Sequence, residues 1–171
     1  RGVRVAFLPL AEGHYLSRMA SGPKKYHFPK GMDAKVLFQL SEGNPGITLE
    51  VCDEKGEAEP QSAMDFWNIL THDAMPFATL SAMELGERKD FLRRLRWIRL
   101  VGCDIMVIAE TGDASLSRCG SVAGREASLA SFWDRGRGEK AMGVLQTAEM
   151  AVSRYINSKN VWDYILISLE H

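Results

Sequence analysis

Residues 84–109 constrain this chain more than any other segment. Phe91, Leu92, Leu95 and Ile98 recur at helical spacing, so residues 84–101 read as an amphipathic helix with that set as its buried stripe. Glu84 with Arg88, and Asp90 with Arg94, are i,i+4 pairs in the favourable acid-before-base order. Gly102 reads as the helix stop. Residues 103–109 (CDIMVIA) then run almost uninterrupted in apolar side chains, the pattern of a strand covered on both faces. Helix, glycine, apolar strand, loop, helix is the grammar of an α/β protein.

The remaining segments extend that reading. Residues 3–10 are β-branched and apolar and predict a first strand, followed by a long loop with one helical turn over 12–31. Residues 34–40 and 47–52 predict two strands, joined into a hairpin by the turn-forming sequence 41–46. A polar loop is expected at 53–61, then a helix from Ser62 to His72 with Ser62 as its cap, broken at Pro76. Residues 113–133, rich in Ala, Ser and Gly, predict another helix. Arg135-Gly136-Arg137-Gly138 reads as a hinge-like connector, 139–156 as a helix, and 161–168 as the last strand. The expected fold is a single α/β domain over residues 1–168, with a mixed, partly parallel sheet flanked by helices. Leu169-Glu170-His171 reads as the start of a vector-encoded tag and is set apart.

Composition bounds the class. The chain has 171 residues, 46% hydrophobic and 25% charged, enough to bury a core without a metal or disulfide staple. No apolar run approaches the roughly 20 residues that span a bilayer. A formal net charge of -1 excludes a uniformly basic surface but leaves local patches open. The cysteines, Cys52, Cys103 and Cys119, fit neither a disulfide scaffold nor a CxxC knuckle, and reduced thiols in a cytoplasmic protein are the simplest reading. Cys103 and Cys119 read as buried, inert thiols. No Walker A, GxGxxG or HExxH pattern occurs, so no cofactor is specified and His14, His27 and His72 make a weak case for a metal.

In an open α/β sheet, ligands bind where strands give way to helices. Two loops then matter: 11–14, carrying His14, and 110–115. In the second, Gly112 permits close backbone approach, Asp113 and Ser115 suit the start of a helix whose free N–H groups attract anions, and Arg118 suits a phosphate or carboxylate. His14 and Glu110 are the acid–base candidates. The leading expectation is a small anionic ligand, a nucleotide or sugar phosphate, bound with transferase or hydrolase chemistry. The alternative is a non-enzymatic module that binds nucleic acid or protein. It would use the basic aromatic loop with Lys24, Lys25, Tyr26, Phe28 and Lys30, and the stripe Lys89, Arg93, Arg96 and Arg99. A third expectation is a homo-oligomer packed through the small-residue stretch 114–130.

Overall fold

The computed structural model describes residues 11–21, 34–41, 43–44, 59–119 and 122–169. Helices and one short 3-10 turn are the regular elements there, with no strand among the described residues. The expected α/β fold with its mixed sheet is therefore corrected to an all-α fold. The chain divides into two compact units, residues 1–57 and 58–171.

The first unit contains α1 (Glu12–Ser21) and α2 (Ala34–Ser41). Tyr15 is fully buried and meets Phe38 edge-on at 5.2 Å between ring centroids. The segment expected as a strand at 34–40 is helical. Its end is closed by the Gly43 N–H donating to the Phe38 carbonyl at 3.1 Å, with Gly43 at φ 74°. The strands expected at 3–10 and 47–52 lie outside the described residues, as does the second half of the loop expected at 12–31, whose first ten residues form α1.

The second unit runs through α3 (Glu59–His72), α4 (Pro76–Ser81), α5 (Arg88–Thr111), a 3-10 turn (Ala114–Leu116), α6 (Ala123–Ala130), α7 (Arg135–Ser153) and α8 (Ser158–Leu169). At 24 residues, α5 is the long axis of this unit, and α3, α6 and α7 pack along it. It absorbs both the expected helix and the expected strand at 103–109. Gly102 does not stop it. A Cβ there would sit 2.7 Å from Met142 Cε and 2.8 Å from Trp67 Cε2, so the glycine is what lets two neighbouring helices close onto α5. The helix stops instead at Gly112, whose φ of 71° places it in the left-handed region that ends helices.

The apolar runs that resemble strands have a physical origin in helices. In 103–109, Asp104, Ile105 and Ile108 are buried, while Val107 and Ala109 face a cavity described below. In 161–168, Val161, Trp162, Ile165 and Leu166 are buried at helical spacing, and Tyr164 and Ile167 are exposed apolar residues. Both runs are apolar on more than one helix face, which erases the 3.6-residue signature.

Other boundaries shift for local reasons. The helix expected from Ser62 begins at Glu59 and ends at His72 as expected. The helix expected over 113–133 is a 3-10 turn followed by α6. The expected hinge at 135–138 is the first turn of α7, where the Asp134 carboxylate accepts from the Arg137 N–H at 2.9 Å as an N-cap. Leu169 is the last residue of α8 and is buried.

Tryptophans knit this unit together. Trp67 donates its indole N–H to the Ile98 carbonyl at 2.8 Å, and Trp162 donates to the Leu80 carbonyl at 2.9 Å. Phe66 lies 5.5 Å from Trp67 and 5.7 Å from Trp162 between ring centroids. No described helix is long and apolar enough to cross a membrane.

Candidate functional site

A cavity of about 620 Å³ opens between the second half of α5 and the first half of α7. Met106, Val107 and Ala109 from α5, Met142 from α7, and Trp133 before α7 supply its apolar wall. Polar groups gather at the rim: Glu110 and Thr111 at the end of α5, and Asp134, Arg135, Glu139 and Gln146 around α7. Gly138 and Gly143 keep the α7 wall low, and a Cβ at Gly143 would meet nothing within 4 Å.

Trp133 is held on three sides. Its indole N–H donates to Thr71 Oγ1 at 3.0 Å, its ring meets Trp67 edge-on at 4.8 Å, and the Arg137 guanidinium lies 4.3 Å over its centroid. Such a ring is a fixed wall rather than a mobile one. Arg135 donates to Glu139 at 2.8 Å; this bond, with the negative charges of Glu139 and Glu110, holds the Arg135 guanidinium above its ordinary pKa. The rim therefore carries three carboxylates, Glu110, Asp134 and Glu139, and one cation, Arg135.

The residues expected at an anion-binding loop occupy a different setting. Glu110 lies in the last turn of α5 and borders the cavity. Gly112 ends that helix and is exposed. Asp113 caps only the three-residue 3-10 turn, accepting from the Ser115 N–H at 2.9 Å; the Ser115 hydroxyl first, and then this backbone bond, lower its pKa. The expected long helix with a field of free N–H groups is replaced by this single tight turn.

Arg118 turns inward. Its Nε donates to Asp104 Oδ1 at 2.5 Å, and its backbone N–H donates to Asp104 Oδ2 at 2.8 Å. Asp104 is 1% exposed, and it takes a third bond from the Cys119 N–H at 3.3 Å. Beside it stands Glu126, fully buried, with neither carboxylate oxygen hydrogen-bonded. Burial pushes the Glu126 pKa up to about 7; the nearby Ser117 hydroxyl opposes that rise, Asp104 adds to it, and Arg118 opposes it. The Cys119 thiol is also raised, first by burial and then by Asp104 and Glu126.

The other candidates are dispersed. His14 is exposed on α1 in the first unit, while Glu110, Gly112, Asp113, Ser115 and Arg118 belong to the second. Lys24, Lys25, Tyr26, Phe28 and Lys30 lie outside the described residues. Along the arginine stripe, Arg93 is only 7% exposed and pairs with Glu59 at 3.2 Å and Asp90 at 3.0 Å. Arg99 pairs with Glu149 at 2.5 Å, and Arg96 is half-buried. The helical pairs expected at 84/88 and 90/94 are re-sorted: Asp90 engages Arg93, and Arg94 donates to the Glu84 carbonyl at 2.7 Å.

Sequence reasoning passed over Asp104, Glu126, Trp133 and Met142. One signal was present: an aspartate inside the apolar run 103–109 is out of place unless something buried engages it. No known protein family, curated protein or solved structure matches the chain. The described residues define an all-α fold whose second unit carries an open apolar cavity and a separate buried ionic cluster.

Proposed function

We propose that the second unit binds a small amphipathic molecule in the cavity between α5 and α7, with an apolar body against Met106, Met142 and Trp133 and a cationic amine facing Glu110. The observation that carries this reading is the cavity itself. Its volume falls within the roughly 300–1,000 Å³ typical of small-molecule sites, and its wall is apolar with a few polar groups at the rim. The excess of carboxylates there favours a cation over the nucleotide or sugar phosphate expected from sequence. Arg118, the side chain expected to hold such an anion, is bonded to Asp104 instead.

Thermal-shift and calorimetric titrations with paired arylalkyl amines and carboxylates of equal size test the reading. The amines are expected to raise Tm and the carboxylates to leave it unchanged. Glu110→Gln should remove that preference while retaining weak binding of neutral analogues. Gly143→Leu should intrude on the cavity from an open position and weaken binding of every member, with the fold retained. A series in which no compound binds, or in which Gly143→Leu leaves binding unchanged, overturns the proposal.

A further inference from the structure

The buried cluster on the far side of α5 has an unfilled valence. Asp104 comes from α5, Cys119 from the segment after the 3-10 turn, and Glu126 from α6. One donor atom from each lies within 4.8 Å of the others, and all three residues are buried. Glu126 is the anomaly, since it is fully buried with both oxygens unpartnered. An ionisable carboxyl in that position is costly unless a proton or a cation satisfies it. The Ser117 hydroxyl makes no hydrogen bond of good geometry either, although it stands close enough to Glu126 to lower its pKa.

We propose that Asp104, Cys119 and Glu126 form a binding site for a single divalent ion of the zinc type. The donor set suits that class. Thiolate and carboxylate together select a borderline d-block ion over magnesium or calcium, which take oxygen donors alone. Tetrahedral bonds of about 2.0–2.3 Å place donor atoms roughly 3.3–3.8 Å apart, so donors up to 4.8 Å apart must draw together through rotamer changes to close the shell. Three protein ligands leave a fourth tetrahedral position, and the Ser117 hydroxyl or a water is suited to fill it.

The charges also close. On binding, the Cys119 thiol proton leaves to buffer as the metal–sulfur bond forms, and any proton held by the Glu126 carboxyl leaves to buffer as its oxygen takes the ion. Two carboxylates and one thiolate then face a doubly charged ion and the Arg118 guanidinium, and the buried cluster becomes neutral. Arg118 acts as a positioning residue: its side chain and backbone N–H fix Asp104 from behind.

The test uses the full 171-residue chain, stripped with a chelator and titrated with zinc chloride alone. One ion per chain is expected by calorimetry, with a rise in Tm. Cobalt(II) should give a thiolate-to-metal charge-transfer band. Glu126→Gln keeps the shape of the side chain and removes the ionisable carboxyl, so it should stay folded yet bind zinc more than about tenfold more weakly. Cys119→Ser should lose the cobalt band, and Cys103→Ser should keep it. Should Cys119→Ser fail to fold, a chain carrying both Cys52→Ser and Cys103→Ser decides the ligand, since a band it keeps comes from Cys119. The proposal is overturned if the stripped chain takes up no ion. It is equally overturned if Glu126→Gln binds zinc as tightly as wild type, or if Cys103→Ser abolishes the band. In those cases Glu126 holds a proton only.

Discussion

Gly102 shows how much one absent methyl group decides. In a sequence it reads as a stop, because glycine weakens a helix by about 1 kcal/mol relative to alanine. In the fold it marks where Trp67 and Met142 press onto α5. The Trp67 ring has little room to retreat, since its indole N–H is tied to the Ile98 carbonyl on the same helix. Gly102→Ala should therefore destabilise the chain by about 1–3 kcal/mol despite the better helix former, because overpacking outweighs propensity. Gly143→Ala, with open space around its Cβ, should instead gain up to about 1 kcal/mol. Urea unfolding of both variants checks the pair, and equal effects would contradict the packing argument. The same blindness applies to Arg118. Its charge is legible in the sequence, but Asp104, which takes up that charge, stands 14 residues earlier in a run that reads as hydrophobic.

Among elements, the end of α3 and the amphipathic stripe of α5 were legible, because alternating burial and exposure writes a helical period. The runs at 103–109 and 161–168 were not, because their second faces are apolar too. The passage from α3 to α4 is set by one carboxylate. Asp73 accepts from the Met75 N–H at 2.9 Å and from Thr79 Oγ1 at 2.6 Å, tying the loop to the helix it precedes. The Thr79 and Met75 bonds lower its pKa below the ordinary 3.8. An acid with a depressed folded pKa stabilises above its unfolded value and loses that contribution as pH falls through the folded one. Acidification below pH 3.8 should thus fray α4, read as faster amide exchange at Thr79 and Leu80, and Asp73→Asn should flatten that pH dependence. Exchange rates that stay pH-independent after correction for intrinsic chemistry would remove Asp73 from this role.

At the scale of the whole molecule, the second unit closes its own core. All four tryptophans lie within it, and the indole N–H bonds of Trp67, Trp133 and Trp162 end on its own residues. A chain of residues 58–171 should keep a helical circular dichroism spectrum and one cooperative transition followed by tryptophan emission. A broad, non-cooperative loss of signal would show that residues 1–57 are needed. Of the candidate site, the sequence singled out Glu110 only as an acid–base group in a loop, whereas the cavity depends on α5 lying beside α7, which no local pattern encodes. Asp104 and Met106 stand two positions apart on α5, roughly 200° around a helix of 3.6 residues per turn. One looks into the ionic cluster and the other into the apolar cavity. The helix is thus a partition, with a buried ionic cluster on one side and an apolar wall with a charged rim on the other. Mutation can rework either chamber while the wall between them stays as it is, so the two can diversify independently.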